Sequence, residues 1–245
     1  MTKIAVVTGA NRGLGFATAR HLGRAGVKVL VGARSLANSE DAVERLVGEG
    51  FDAEPLLIDV NSQASVRHAA QQVAREHRRV DILVNNAGIL PEATTADVDP
   101  LDLQLFRDTF ETNVFGVIST TQEFLPLLRR SPSARVVNIS STMGSLTDQS
   151  DPASPYAAVP VPAYRMSKTA INGFTVALAR MLADTSIKVN AVCPGHVQTD
   201  LGGPENRAAA PTTADDAAQI VAKMALIADD GPTGDFVDSA GAVAW

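Results

Sequence analysis

"KIAVVTGANRGLG" (Lys3–Gly15) reads as a short apolar strand that runs directly into a glycine-rich turn and the start of a helix. Gly9, Gly13 and Gly15 allow the backbone to turn tightly and let a ligand approach the amino terminus of that helix. Unpaired N–H groups and the helix dipole favour a phosphate at such a terminus. The stretch therefore predicts a dinucleotide site, although glycines also serve plain strand-to-helix turns.

Strand-like runs rich in valine and isoleucine alternate with helical patterns along the rest of the chain. The runs are nearly continuously apolar, as strands covered on both faces are. They are Lys3–Gly9, Lys28–Ala33, Glu54–Val60, Asp81–Gly88, Arg135–Ser140, Ile187–Gly195 and Gly234–Asp238. This alternation predicts one α/β domain over residues 1–245, with a doubly wound, seven-stranded parallel sheet flanked by helices. The carboxyl ends of the strands should meet at one edge, where ligands bind.

Two segments lack strong periodicity: an insert at residues 146–161 and a short lid at residues 200–212. Each follows a predicted strand, so we expect both to be loops that overhang the ligand edge. The prolines of the insert limit the freedom of the unfolded chain, which predicts an ordered loop. The sequence leaves the role of the insert open.

The composition narrows the class of protein and its partners. The chain has 245 residues, of which 45% are hydrophobic and 20% charged, and its formal net charge is −6. No basic face forms, which argues against nucleic acid and anionic membranes as partners, and no apolar run is long enough for a membrane-spanning helix. Cys193 is the only cysteine, so an intrachain disulfide is excluded and a cytoplasmic location is expected. No cluster has metal-ligand spacing, so no metal is expected.

The end of the second predicted strand, "VLVGARS", bears on the choice of dinucleotide. A carboxylate there would bind ribose hydroxyls and select NAD(H), but the chain has Gly32 and Ala33, followed by Arg34. With Arg12, Arg34 could clamp a 2′-phosphate, which favours NADP(H), with NAD(H) possible. The alternative is that both arginines are simply solvated. Asp59, at the end of the third strand, could bind an adenine amino group or start the next helix.

Tyr164 and Lys168, in "PVPAYRMSKTA" (Pro160–Ala170), are candidates for acid–base chemistry, although a tyrosine and a lysine at this spacing also occur by chance in helices. At a spacing of four they share one face of a helix, so the ammonium can lie near the phenol. Tyrosine titrates near pH 10, and a nearby positive charge lowers that pKa. Tyr156 has Pro160 and no cation four residues on, so it is interpreted as a loop packing residue or a substrate wall.

Taken together, these motifs resemble those of the short-chain dehydrogenase/reductases, from Lys3 to the end of the chain. Within that family the chain looks most like the NADPH carbonyl reductases, which share the ending style "GPTGDFV" and a longer serine-to-tyrosine segment. The matching motifs occur in order as "TGANRGLG", "DV" at Asp59–Val60, "NNAG" at Asn85–Gly88, Asn113 in "TNVFG", "NISS", "YRMSK" and "PGHVQTD".

The resemblance implies a Rossmann-type fold and four catalytic positions. Ser141 would hydrogen-bond the substrate oxygen; its neighbour Ser140 is the alternative, since only one of two adjacent strand residues faces the site. Tyr164 would donate the proton in reduction and accept it in oxidation. Lys168 would bind the nicotinamide ribose and lower the tyrosine pKa. Asn113 would support a water and proton relay, or mend a helix kink.

The resemblance also assigns the binding residues. Cofactor contacts would come from Gly9, Asn11, Arg12, Gly13, Leu14, Gly15, Arg34, Asp59, Val60, Asn85, Ala87, Gly88, Tyr164, Lys168, Pro194, Gly195, Val197 and Thr199. Substrate contacts would come from Ser141, Met143, His196 and Leu201, with Leu90 as a further pocket residue.

The expected reaction is hydride transfer between NADP(H) and a small-molecule carbonyl or alcohol. The alternatives are an NAD-dependent alcohol dehydrogenase and, more remotely, a non-catalytic nucleotide-sensing partner protein. Monomer, homodimer and tetramer all remain open. The short, Gly- and Ala-rich lid predicts an open pocket for bulky or varied carbonyls.

Overall fold

A mainly parallel β-sheet with helices on both faces carries the loops of interest. The computed structural model describes residues 2–95 and 99–245, and within these residues eight strands form one sheet in the order β3-β2-β1-β4-β5-β6-β7-β8. The strands are β1 (Ile4–Val7), β2 (Lys28–Ala33), β3 (Ala53–Leu57), β4 (Ile82–Asn85), β5 (Arg135–Ile139), β6 (Lys188–Val192), β7 (Phe236–Asp238) and β8 (Gly241–Ala242). The helices are α1 (Gly13–Arg24), α2 (Leu36–Gly48), α3 (Gln63–Glu76), α4 (Leu103–Phe110), α5 (Gly116–Leu128), α6 (Leu146–Gln149), α7 (Pro162–Met181), α8 (Gly203–Ala209) and α9 (Ala214–Ala225).

The predicted doubly wound α/β domain is confirmed, and each predicted strand is present. β1 to β7 pair in parallel. The sheet departs from the prediction at its edge, where the two-residue strand β8 pairs antiparallel with β7. Its residues are exposed, and two residues are too short to produce a hydrophobic period.

The hydrophobic core lies in two layers, one on each face of the sheet. Because successive strand residues point to opposite faces, Ala5 and Val7 pack in one layer and Val6 packs in the other. Helices α1, α2 and α9 cover the first layer, and helices α3, α5 and α7 cover the second. Full burial of a valine side chain such as Val6 or Val7 contributes about 1.5–3 kcal/mol.

The strand order reverses at β1, which lies between β2 and β4. After β1 the chain enters α1 on the first layer, whereas after β4 it continues to α5 on the second. The loops that leave these two neighbouring strands therefore diverge and open a crevice at the carboxyl edge.

The insert and the lid both contain helix, so the expectation that they are loops is wrong in part. In the insert, α6 begins after Ser145, whose hydroxyl accepts from the backbone N–H of Asp148 at 3.0 Å. The Trp245 carbonyl accepts from the Thr147 N–H at 3.1 Å, and turns follow α6. The lid comprises a 3₁₀ turn at Asp200–Gly202 and then α8. Helices of one or two turns are too short to show a clear period in the sequence.

Among the helices in the described ranges, none combines the length and apolar character that crossing a bilayer requires.

The close approach of β1 to β2 can be tested at Gly32. An alanine there would place its methyl group 2.7 Å from the Val7 carbonyl oxygen, a backbone atom held by the sheet. We expect Gly32→Ala to lower the free energy of unfolding by about 1–3 kcal/mol. Gly173→Ala is the matched control, because its methyl meets nothing within 4 Å inside α7; there a gain of about 0.5–1 kcal/mol is expected. Urea unfolding measures both, and equal effects would contradict the close packing.

Candidate active site

A cleft of about 1170 Å³ runs along the carboxyl edge of the sheet. It is bounded by the loops after β1, β4, β5 and β6, and by the insert and the lid. The predicted residues that line it are Gly9, Asn11, Arg12, Gly13, Leu14, Gly15, Arg34, Asp59, Val60, Ala87, Gly88, Leu90, Ser141, Met143, Tyr164, Lys168, Pro194, Gly195, His196, Val197, Thr199 and Leu201. The structure thus brings the predicted cofactor and substrate residues together, with Asn85 as the exception among them.

The glycine turn has the backbone that close approach of a phosphate requires. Gly9 and Gly13 lie in the left-handed region, with φ of 62° and 56°. A Cβ at Gly15 would lie 2.4 Å from the Gly9 carbonyl oxygen, so only glycine fits there. The Arg12 side chain, which precedes α1, makes no capping hydrogen bond to the helix. The first-turn N–H groups of α1 therefore suit a pyrophosphate.

Asn86 fixes the turn to the loop after β4, and the sequence did not single it out. Its Nδ2 donates to the carbonyl oxygens of Thr8 at 2.8 Å and Gly9 at 3.1 Å. The Thr8 hydroxyl in turn accepts from the N–H groups of Asn86 and Ala87, each at 3.0 Å. These bonds hold the two walls of the crevice together.

Asn85 does not line the cleft, which corrects its predicted place among the cofactor residues. Its side chain is buried between β4, β5 and α5, where Nδ2 donates to Asn138 Oδ1 at 2.8 Å and Thr121 Oγ1 at 3.1 Å. Strand alternation is the physical reason, because the last residue of β4 points into the layer under the sheet.

The two predicted arginines lie in different environments. Arg34 is exposed at the rim of the cleft. Arg12 donates to Asp200 of the lid at 3.1 Å, and Arg207 donates to the other oxygen of that carboxylate at 2.8 Å. The Arg12 guanidinium is therefore shared between the glycine turn and the lid.

Helix α2 brings further polar groups to the same end of the cleft. Asn38 and Arg45 line it beside Arg34, and so does Asp41. The Arg45 guanidinium carbon lies 3.9 Å from the centroid of the Phe16 ring, a cation–π contact that fixes its position. The sequence contained a signal for Asn38 and Arg45, since residues seven apart on a helix share a face.

Asp59 has the helix-start geometry that the sequence offered as one of two readings. Its carboxylate accepts from the Asn61 N–H at 3.1 Å, and the Ser62 hydroxyl then caps α3 by accepting from Ser65. The same residue lines the cleft, so the adenine contact stays a prediction.

Tyr164 and Lys168 are buried on one face of α7, with 7% and 5% of their surfaces exposed. The Lys168 Nζ lies 5.4 Å from the centroid of the Tyr164 ring. It donates to the Ile139 carbonyl oxygen at the end of β5 at 2.9 Å. The predicted pair is thus assembled, and the ammonium is held above the sheet edge.

The pKa of Tyr164 shifts opposite to the expected direction. Burial raises the pKa of its phenol above the usual range, and the nearby Cys193 and Glu92 raise it further, while a hydrogen bond with Ser141 lowers it. Burial also lowers the pKa of Lys168 to about 8. Burial is the largest cause of both shifts, because it disfavours the charged form of each group.

Ser140 and Ser141 both border the cleft, but their hydroxyls lie in different environments. The Ser140 hydroxyl is buried and donates to Asn172 Oδ1 at 2.6 Å. Ser141 Oγ accepts from the Met143 N–H at 3.2 Å and lines the cleft. The alternation of side chains at the end of β5 accounts for this difference.

Asn113 lies behind α7 in a π-helical turn, Glu111–Phe115, between α4 and α5. Its Oδ1 accepts from the Ile89 N–H at 2.8 Å, and its Nδ2 donates to the Ile89 carbonyl at 3.0 Å and to Ser167 Oγ at 3.1 Å. Ser167 donates to the Tyr164 carbonyl at 2.7 Å. Asn113 therefore sits at a helix irregularity and links the loop after β4 to α7.

The wall beyond Tyr164 is mainly apolar. Leu90, Val161 and Met143 pack with Tyr164, and Tyr156 lines the cleft from the insert. His196 lines the cleft too, but its Nε2 contacts the Asn206 carbonyl of α8 at 3.1 Å. His196 thus holds the lid, a role that the sequence did not indicate.

Glu54, Glu76 and His77 form a group of possible metal ligands whose ligand atoms all lie within 4.8 Å of one another. The group lies at the amino-terminal edge of the sheet, away from the cleft. Lys28 Nζ is 2.6 Å from the Glu54 carboxylate and already balances its charge.

Comparison with known proteins identifies the family. A family model described as short chain dehydrogenase matches residues 3–210. A short-chain dehydrogenase of Penicillium roqueforti is 39% identical over 206 residues, which cover 82% of this chain and 81% of that protein. Carbonyl reductase (NADPH) 1 of Bos taurus is 31% identical over 280 residues, which cover 99% and 98%.

A solved structure agrees with these relatives. The NADPH-bound carbonyl reductase from chicken fatty liver superposes with a TM-score of 0.83 and 27% identity, covering 100% of this chain and 99% of that one. The chain therefore belongs to the short-chain dehydrogenase family and is an oxidoreductase.

Proposed function

We propose that the protein transfers hydride between NADP(H) and a ketone or aldehyde and its alcohol, as a carbonyl reductase. The observation that carries this proposal is the buried Tyr164 phenol, which has a hydrogen bond with Ser141 and lies beside Lys168 in the same cleft as the glycine turn. The carbonyl reductases of Bos taurus and chicken, both similar over nearly the whole chain, support the same reaction.

NADP(H) when bound supplies or accepts the hydride. The glycine turn fits the pyrophosphate, because Gly9, Gly13 and Gly15 leave the α1 terminus accessible. Arg34 would bind the 2′-phosphate with Arg45 beside it. Lys168 would bind the nicotinamide ribose from the end of β5.

Proton transfer is assigned to the Tyr164 hydroxyl. In reduction, this O–H bond breaks and the proton passes to the carbonyl oxygen, which Ser141 Oγ holds by a hydrogen bond. Because burial raises the pKa of Tyr164, the phenol is protonated at neutral pH and ready to donate. In oxidation the phenolate must form, and the positive charge of Lys168 stabilises it.

Asn113 is proposed to support proton transfer by Tyr164 through the segments that it joins. It bonds to Ile89 in the loop after β4 and to Ser167 on α7, and so links the two segments that adjoin Tyr164. A water-mediated relay through this position stays part of the proposal.

Asp41 favours a second candidate, an NAD-dependent alcohol dehydrogenase. Its carboxylate lines the end of the cleft where Arg34 lies, and a carboxylate there can bind ribose hydroxyls. Arg12 is also paired with Asp200. Arg34 and Arg45 place two positive charges at this end of the cleft, whereas Asp41 supplies one negative charge. NADP(H) is therefore preferred.

The role of Tyr164 is tested by removing its hydroxyl. Tyr164→Phe is expected to lower kcat for NADPH-dependent carbonyl reduction by about 10²–10⁴-fold, because the proton donor is lost. Tyr156→Phe makes the same change in the insert and is expected to cost a few-fold at most. NADPH absorbance with a panel of carbonyls measures both, and undiminished reduction by Tyr164→Phe would refute the assigned mechanism.

The cofactor assignment is tested at Arg34. Arg34→Asp should lower the ratio of kcat/KM with NADPH to that with NADH by about 10–100-fold, since a charged hydrogen bond contributes about 1.5–3 kcal/mol. Arg129→Asp, an equal charge change on an exposed residue after α5, controls for long-range electrostatics. A ratio that does not fall in Arg34→Asp would favour the NAD-dependent alternative.

A further inference from the structure

The first turn of α7 receives its cap from a distant part of the chain. The helix begins at Pro162, after Val161, whose apolar side chain cannot accept a hydrogen bond. Glu92 supplies the acceptor from a 3₁₀ turn, Pro91–Ala93, in the segment after β4. Its Oε1 accepts from the Ala163 N–H at 2.7 Å, and its Oε2 accepts from the Tyr164 N–H at 3.1 Å. One carboxylate therefore satisfies two of the first-turn donors of α7.

The position of Glu92 suits a carboxylate physically. A negative charge at a helix amino terminus interacts favourably with the helix dipole, and charge-assisted hydrogen bonds are stronger than neutral ones. The side chain is half-buried; burial raises the pKa of Glu92, and the bonds from Ala163 and Tyr164 lower it. The two N–H groups therefore bind a carboxylate that is partly removed from water.

A second long-range contact holds the same turn on its other side. The Arg165 guanidinium donates to the Tyr156 carbonyl oxygen in the insert. Glu92 lies one residue from Ala93 and two from Leu90, and both of these line the cleft. The backbone of Tyr164 is thus fixed between the segment after β4 and the insert, which form the two sides of the substrate wall.

We propose that Glu92 is a positioning residue that acts as a remote cap of α7 and thereby sets the place of Tyr164 in the site. The proposal rests on the function proposed above, in which Tyr164 is the proton donor. Nothing about the Glu92 side chain requires contact with substrate or cofactor, so its effect passes through Tyr164.

The charge of Glu92 gives this role a signature that a purely structural cap would lack. Among the described residues, the titratable groups that act on Tyr164 are Lys168 on its own helix, Cys193 after β6, and Glu92. The negative charge of Glu92 raises the pKa of Tyr164 and so favours the protonated donor. Loss of that charge should lower the pKa of Tyr164 and move the alkaline limb of the reduction rate to lower pH.

Two substitutions separate the effect of the hydrogen bonds that Glu92 accepts from the effect of its negative charge. Glu92→Ala removes both, and we expect kcat for carbonyl reduction to fall about tenfold with KM for NADPH within about twofold, because Tyr164 is misplaced while the cofactor site is intact. Glu92→Gln keeps an oxygen acceptor, and we expect most of kcat to be retained with the alkaline limb moved to lower pH. Glu76→Gln, on an exposed residue at the end of α3, is the matched control and should change neither quantity.

Amide hydrogen exchange over residues 162–166 provides a readout that does not depend on turnover. Exchange of the Ala163 and Tyr164 amides should be faster in Glu92→Ala than in the wild type, and intermediate in Glu92→Gln. Unchanged exchange in Glu92→Ala, or equal kcat and pH profiles in all variants, would overturn the positioning role. A wild-type protein that reduces no carbonyl would instead refute the proposed function, while the exchange data still decide whether Glu92 anchors the helix.

Discussion

Parallel pairing of β1 with both β2 and β4 is the constraint from which the geometry of the cleft follows. The chain leaves β1 towards one face of the sheet and β4 towards the other, so the two loops separate where the strands end. The Thr8 hydroxyl and the Asn86 amide then lock the two diverging loops at a fixed spacing. Ser141, Tyr164 and Lys168, the proposed catalytic groups that line the cleft, extend from elements packed at this edge, and Lys168 is held there by its bond to the Ile139 carbonyl. The strand order of the sheet thus determines where the cleft lies.

Burial has a single chemical consequence for the two central groups. It raises the pKa of Tyr164 and lowers the pKa of Lys168, and both changes favour the neutral form. Donation of a proton begins from the phenol that this environment prefers, whereas abstraction of a proton begins from the phenolate that it disfavours. Ser141, whose hydrogen bond lowers the pKa of Tyr164, and the charge of Lys168 are the groups that offset this cost. In the proposed mechanism, reduction would therefore start from the form of Tyr164 that burial favours, and oxidation would depend more strongly on these neighbours.

Local features were predictable from the sequence, and contacts between distant segments were not. The glycine turn, the spacing of Tyr164 and Lys168 and the strand runs each depend on residues close together in the chain, so a pattern could indicate them. Glu92 lies 71 residues from the N–H of Ala163 that it caps, and no local pattern marks it. Asn85 and Asn86 show most clearly what the sequence could not predict. The motif "NNAG" was recognised, but which of its two asparagines faces the cleft depends on strand register. The helices α6 and α8 were missed because they are shorter than the window in which a period can be measured.

The ion pairs around Asp200 join the glycine turn to the lid through exposed side chains. Arg12 and Arg207 both donate to this one carboxylate, and all three side chains are about half exposed or more. Exposed ion pairs of this kind contribute only about 0–1 kcal/mol, whereas a charged hydrogen bond that is less solvated contributes about 1.5–3 kcal/mol. Asp200 therefore holds the Arg12 guanidinium only weakly. The lid does not depend on Arg12, because Arg207 also donates to Asp200 and the His196 ring contacts the Asn206 carbonyl of α8.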